Sequence, residues 1–272
     1  MKWKRLELKI HTLSLVEQHM AEQDIGIRMA SLENRFLRNK DLINQNLLDE
    51  ITVIGLGGIG STVVTLLAIM GWDKIIGWDD DKLETHNLSS TTYPTCFVGL
   101  PKVKTAHEIV IGHSAAQTEF ICGDGKWSSK EGIGPKVITC LDNMDTRMEA
   151  YETWVNADHP VEKPNQFFID LRMSALSLEM ITITHRPGGF INHENKNFDE
   201  IYESHWVPDS QIEPAPCTMK HTIFASSIIG GLGVNQVFNC VANKPYYSYI
   251  WAGLLPLNLE KDNLVKPITN GV

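Results

Sequence analysis

The sequence is short of cysteine and has none in a C-x-x-C pair. Its five cysteines, Cys96, Cys122, Cys140, Cys217 and Cys240, are odd in number and widely spaced. That excludes the paired-thiolate zinc and redox motifs. No structural zinc is expected, and the pattern fits a reducing cytoplasm. Positive charge is also scarce: the net charge is −9 with the acidic residues dispersed, which argues against nucleic-acid binding. The longest apolar stretch, Ile223 to Val241, is interrupted by Asn235, Gln236 and Asn239 and crowded with small residues, so it reads as a packed helix rather than a membrane span. The opening M-K-W-K-R-L-E-L-K-I lacks the apolar core and small-residue cleavage site of a signal peptide, and the expected location is cytoplasmic. The ten histidines form no cluster at metal spacing, and no repeat or low-complexity tract is visible. A length of 272 residues with 43% hydrophobic content allows one large domain or two small ones.

What is present begins at residues 51–60, I-T-V-I-G-L-G-G-I-G, an apolar strand running into the pattern G-x-G-x-x-G and then the helix-like run S-T-V-V-T-L-L-A-I-M. A strand must turn tightly at Gly55, the backbone at Gly57 can approach a ligand phosphate, and Gly60 lets the helix pack closely on the sheet. Gly58 lies in the same turn. The free N–H groups at the helix start favour an anion. A second apolar strand, Lys74 to Trp78, ends at Asp79, whose carboxylate can accept hydrogen bonds from a ribose. These features serve a dinucleotide equally well, so an NAD-dependent oxidoreductase is an open alternative at this point.

Residues 1–50 alternate at helical spacing and are expected to form a helical lead-in to a domain spanning 51–272. Strands are predicted near 51–55, 74–78, 117–122, 137–141, 166–170 and 176–185, with helices near 61–70, 102–111 and 144–155. The alternation predicts an α/β fold with a Rossmann-like mixed sheet, a parallel half followed by antiparallel strands, and helices on both faces. The polar, aromatic and proline-bearing stretch 190–217 has no clear period and is expected to be a long crossing loop, at about 188–217.

Further motifs follow the turn: D-D-K-L-E-T-H-N-L-S-S after Asp79, G-L-P-K at 99–102 and L-D-N-M-D-T-R at 141–147. Together with G-L-G-G-I-G they resemble the ThiF, MoeB and ubiquitin-activating E1 family of adenylyltransferases, in the stand-alone bacterial or phage form, over Asn34 to Ala242. The matching residues are Asp79, Asp81, Asn87, Lys102, Asp142, Asn143 and Arg147. The resemblance implies that Lys102 reaches the phosphates of ATP, Asp142 holds Mg²⁺, Asp79 binds the ribose, and Asp81, Asn87 and Asn143 lie close to the nucleotide, with His86 beside them. It implies a carboxylate substrate, either the C-terminal glycine of a ubiquitin-like or sulfur-carrier protein or a peptide. The chemistry suits the residue types, because adenylation places two anions side by side and needs charge neutralised. The plain readings are a solvated helix-start lysine for Lys102 and an N-cap for Asp142.

N-R-F-L-R at 34–38 resembles the family's arginine segment, which in dimeric members reaches the partner's site. Arg35, with Arg38 second, is the candidate, and a homodimer would follow; an exposed arginine on an amphipathic helix is the alternative. The family's asparagine-x-x-arginine is Asn87-Leu88-Ser89-Ser90 here, and serine lacks the guanidinium's charge and fork of donors. A non-catalytic, nucleotide-binding subunit therefore stays open. F-I-D-L-R-M-S-A-L-S-L-E-M-I-T-I-T at 168–184 resembles the next family segment, with Arg172 near the site or salt-bridged. P-A-P-C-T-M-K at 214–220 resembles the segment where several E1 proteins carry a thioester-forming cysteine, making Cys217 the candidate nucleophile. Cys96 is a lesser one, while Cys122, Cys140 and Cys240 read as core.

Overall fold

The computed structural model of the chain describes residues 34–115, 117–158, 166–184, 198–211 and 222–265. The chain divides into two compact units, Met1–Asn44 and Gln45–Val272. In the first, residues 34–42 form consecutive turns, in which Leu37 N–H donates to Asn34 O at 3.1 Å and Ile43 N–H to Asn39 O at 2.8 Å.

In the second unit the elements run β1 (Glu50–Ile54), α1 (Gly58–Met70), β2 (Lys74–Trp78), α2 (Lys102–Ser114), β3 (Glu119–Cys122), β4 (Lys136–Thr139), α3 (Met144–Asn156), β5 (Phe167–Met173), β6 (Ser177–Thr184), α4 (Phe198–Ser204), α5 (Ile223–Val241), β7 (Tyr246–Leu254) and β8 (Leu257–Val265). They build one eight-stranded sheet in the order β3-β2-β1-β4-β5-β6-β7-β8. β3 to β5 pair in parallel, and β5-β6, β6-β7 and β7-β8 pair antiparallel. The mixed sheet expected from the alternation is present. The order in which strands are added reverses at β1, whose neighbours are β2 and β4, and a crevice at the carboxyl ends of such strands is where open α/β sheets bind ligands.

Burial follows from pattern. β1 is buried at Ile51, Thr52, Val53 and Ile54, and β4 along its whole length, as central parallel strands covered on both faces require. On one face α1 packs against α2 and α5. α5 is long and apolar enough to cross a membrane by length and composition. Nine of its residues, among them Ala225, Ile229, Gly233, Val237 and Cys240, are nevertheless buried at helical spacing. A Cβ on Gly233 would lie 2.5 Å from Leu171 of β5, so this glycine sets how closely the helix meets the sheet. On the other face Tyr151 and Trp154 of α3 meet Phe168 of β5, and Tyr151 stacks on Tyr202 of α4 with ring centroids 4.1 Å apart.

Three differences from the sequence reading stand out. α1 begins at Gly58 rather than near residue 61, because Gly60 sits inside its first turn. The stretch expected to be a crossing loop contains α4 and a 3-10 turn at Asp209–Gln211; the amphipathic pattern of α4 is too short to register as a period. The β7–β8 hairpin lies beyond the strands that the sequence pattern predicts. Its turn is a proline-bearing Leu255-Pro256, not a glycine signal.

Candidate active site

The site assembles where β1, β2 and β4 end. Gly55 follows β1 at φ 90°, and a Cβ there would lie 2.6 Å from Cys140 O just past β4. A Cβ on Gly60 would lie 2.0 Å from Gly55 O. Both positions admit glycine alone. Gly58 is nearly as confined, with Ser90 O at 3.1 Å and Met173 Cε at 2.9 Å from the ideal Cβ, whereas a Cβ on Gly57 would meet nothing within 4 Å. The open side of the turn is therefore at Gly57, beside the free N–H groups of α1.

Asp79 closes the turn from β2. Its Oδ2 accepts from Leu56 N–H at 2.8 Å and its Oδ1 from Asp81 N–H at 2.9 Å. Lys102 arrives because residues 81–83 pair with 99–102: Leu83 N–H donates to Leu100 O, Gly99 N–H to Leu83 O and Lys102 N–H to Asp81 O. That ladder places Lys102 Nζ 2.6 Å from Asp81 Oδ2 and 3.5 Å from Asp79 Oδ1, with only 9% of its side chain exposed. Lys102 is thus not the solvated helix-start lysine of the plain reading. Burial disfavours its ammonium, but Asp79 and Asp81 together overcome this and raise its pKa. Burial raises the Asp79 carboxyl, against the pull of Lys102 and of the two N–H donors. The asymmetry follows from the geometry, since Lys102 has two carboxylates while Asp79 shares one ammonium with Asp81.

Asp142 stands exposed just past β4, in the loop whose Leu141 N lies against Gly55. It is not the N-cap of α3. Asn143 is, with Oδ1 accepting from Thr146 N–H at 2.7 Å and from Thr146 Oγ1 at 2.8 Å. Arg147 is buried and binds Asp170, Leu141 O and Leu171 O. Asp170, wholly buried, also accepts from Thr139 Oγ1 at 2.6 Å, Arg172 Nε at 2.7 Å and the Tyr202 hydroxyl at 3.1 Å. Burial pushes the Asp170 carboxyl up, yet Arg147 and Arg172 outweigh it and hold it below the usual range. Arg172 is the salt-bridged arginine of the plain reading, reaching Glu179 at 2.9 Å as well.

Asn87 is set in a 3-10 turn, its Oδ1 accepting from Glu84 N–H at 2.9 Å, and His86 beside it is exposed and pairs with Glu84 at 3.2 Å. Ser90 is buried, its carbonyl accepting from Ser226 Oγ at 2.9 Å. Tyr93, missed in the sequence, is buried with its hydroxyl unpartnered, and burial together with the charge of Asp79 pushes that phenol well above its ordinary value. Only a proline-flanked aromatic marked it. Among the other thiols, Cys96 is exposed and Cys240 buried. Burial of Cys140 pushes its thiol far up, so it is no nucleophile. Cys122, expected in the core, is half-buried, because it ends an edge strand. Arg35, its guanidinium 5.1 Å from the Phe36 ring centroid, and Arg38 belong to the first unit. Cys217 lies outside the described residues.

An adenosine triphosphate fits these groups: Gly57 leaves room for a phosphate, Asp79 has lone pairs left for a ribose, and Lys102 supplies a cation. Among the described residues, oxygen donors for a magnesium ion include Asp142 and the cluster Asp79, Asp80 and Asp81, whose ligand atoms lie within 4.8 Å of one another. Asp142, exposed just past β4, is the donor that stands outside the Lys102 cluster. Two concavities, about 510 Å³ between α4 and β7–β8 and about 610 Å³ beside Lys82–His86, are not lined by Gly57, Asp79, Lys102 or Asp142.

The profile of the ThiF family matches residues 40–250. Ubiquitin-like modifier-activating enzyme 5 of Caenorhabditis elegans is 31% identical over 113 residues, 36% of this chain and 27% of that protein. The Xenopus laevis enzyme of the same name is 29% identical over 114 residues, 36% of this chain and 29% of that protein. The match thus spans less than a third of those relatives' length. Among solved structures, PaaA superposes with a TM-score of 0.63 at 16% identity, covering 94% of this chain and 82% of that one. E. coli MccB solved with ATP gives 0.60 at 18% identity, covering 87% and 73%.

Proposed function

The chain belongs to the ThiF family, and from that premise we propose that it activates a carboxylate by ATP-dependent adenylation. The observation that carries this reading is Lys102, a nearly buried ammonium held by Asp79 and Asp81 beside the open glycine turn. Hydride transfer needs no such cation at the phosphate end. Adenylation does, because a carboxylate oxygen attacks the α-phosphorus while the bond to the β-phosphate oxygen breaks and pyrophosphate leaves with its charge. In this reading Lys102 exchanges its carboxylate partners for phosphate oxygens, Asp79 orients the ribose, and the backbone at Gly57 and Gly58 faces a phosphate. Asp142 would hold Mg²⁺, which supplies further neutralisation of the phosphate charge.

The substrate we propose is the C-terminal carboxylate of a ubiquitin-like or sulfur-carrier protein or of a peptide. The names of the sequence relatives support the former; MccB, solved with MccA, supports the latter. A homodimer in which Arg35 serves the partner's site, and Cys217 as acceptor of the activated acyl group, complete the proposal. Ser90 favours a second reading, a nucleotide-binding subunit without turnover. Its hydroxyl donates to Asn87 O at 3.2 Å, and a serine at this buried position brings no charge toward a phosphate.

The test is calorimetric titration with Mg·ATP, NADH and NADPH on the native protein, Lys102→Ala and Asp142→Ala. Mg·ATP binding weakened about ten- to a hundredfold in Lys102→Ala, without dinucleotide binding, is the expected result. Dinucleotide binding indifferent to both substitutions would overturn the adenylation reading.

A further inference from the structure

Segment 198–211 is fastened to the turn that carries Asp142 by residues that no motif singles out. Asp209 Oδ1 accepts from Met144 N–H at 3.0 Å, and its Oδ2 from Asp145 N–H at 3.2 Å. The Asp209 N–H reaches back to Asp145 Oδ1 at 3.4 Å. Trp206 Nε1 donates to Met144 O at 3.0 Å, the Tyr202 hydroxyl donates to Asp170, and Arg172 donates to His205 O. The first turn of α3 therefore has its N–H groups satisfied from two directions. Asn143 caps it locally, and Asp209, 65 residues away in the chain, supplies a carboxylate to the positive end of the helix. On the other side of Asp142, Arg147 binds Leu141 O. The backbone on either side of Asp142 is thus held, at Leu141 by Arg147 and at Met144 and Asp145 by Asp209.

We infer that Asp209 is a positioning residue for Asp142, fixing the start of α3 so that the Asp142 carboxylate is presented at the carboxyl end of β4. The inference rests on the reading of Asp142 as the Mg²⁺ holder. Groups that orient a metal ligand without touching the metal contribute about ten- to a hundredfold to its affinity. Docking of segment 198–211 and metal binding at the nucleotide site are then coupled, because one carboxylate ties the segment to the turn.

The experiment measures ATP affinity over a series of Mg²⁺ concentrations for the native protein, Asp209→Ala, Asp209→Asn, Asp142→Ala and the Asp142→Ala/Asp209→Ala double variant. Alongside it, amide hydrogen exchange at Met144 and Asp145 is followed without metal or nucleotide. Asp209→Ala raises the Mg²⁺ concentration for half-maximal ATP binding about tenfold, and Asp209→Asn, with one acceptor left, raises it less. ATP affinity in EDTA stays unchanged, the double variant is no worse than Asp142→Ala, and both amides exchange faster in Asp209→Ala. A lowered melting temperature with an unmoved Mg²⁺ requirement would make Asp209 a structural cap and overturn the inference. A lowered Mg²⁺ requirement, or tighter ATP binding, would overturn it too, by showing that Asp209 competes for the site. If Asp142→Ala itself leaves the Mg²⁺ requirement unmoved, the metal-holding reading of Asp142 fails first and carries the inference with it, whatever Asp209→Ala does.

Discussion

Asp142 lies just past β4 and Asp170 in the middle of the neighbouring parallel strand β5, and their surroundings differ sharply. Asp142 is exposed and available to a ligand, while Asp170 is wholly buried between Arg147 and Arg172. Removing one member of such a buried set strands the others, at a cost of about 3–5 kcal/mol, so Asp170→Asn is expected to lower the urea midpoint strongly at neutral pH. The pH dependence follows from the direction of the shift. The Asp170 carboxyl lies below its ordinary value of 3.8 in the folded protein, so its stabilisation is present above that value and disappears as pH falls through the depressed one. Urea midpoints of native protein and Asp170→Asn should converge as pH is lowered through that range. A gap constant with pH would show that Asp170 does not carry the acid sensitivity. Arg147 and Asp142 were legible in the sequence as members of one motif, but the burial of Arg147 against Asp170 and the exposure of Asp142 were not, because Asp170 is 23 residues from Arg147.

At the level of the element, the turn between β1 and α1 separates glycines needed for folding from one open to a ligand. Gly60→Ala would drive a Cβ to 2.0 Å from Gly55 O, a backbone atom that cannot move aside without displacing β1. Loss of soluble, cooperatively melting protein is expected. Gly57 has an ordinary φ of −78° and open space around its missing Cβ. Gly57→Ala should therefore melt within a few degrees of the native protein yet bind ATP about tenfold or more weakly. Equal ATP affinity in the two proteins, by calorimetry, would remove Gly57 from the nucleotide site. The strand, turn and helix were readable in advance because their signals are local: an apolar run, three glycines and an apolar helix. The start of α1 was misplaced by three residues, since Gly60 reads as a turn residue but serves as a close-packing position within the helix.

For the molecule as a whole, the sheet order brings Gly55, Asp79 and Asp142 together at the carboxyl ends of the parallel strands, although they follow three separate strands. Arg35 belongs to the first unit, Met1–Asn44, and its role in the partner's site is a proposal that complementation can test. Lys102→Ala and Arg35→Ala, each deficient in Mg·ATP binding, should on mixing and subunit exchange recover about a quarter of the native number of sites, because half the dimers are then mixed and each mixed dimer has one intact site. A mixture no better than its components, with a monomer in sedimentation, would place Arg35 outside any shared site.

The sequence by itself determined the class of fold, the glycine turn, the acidic residue after β2 and the family-like order of Lys102, Asp142 and Arg147, since each is written in periodicity or in short fixed spacings. Only the tertiary structure decided that Lys102 is held by Asp79 and Asp81, that Asn143 rather than Asp142 caps α3, and that Asp209 meets the start of that helix. The cap is a local bond from Asn143 to Thr146, which two adjacent capping residues leave ambiguous in the sequence, whereas for Lys102 and Asp209 the reason is separation along the chain. A hydrogen bond or ion pair between residues far apart in the chain leaves no mark on local pattern, and it forms only when strand pairing and helix packing have brought the two groups together.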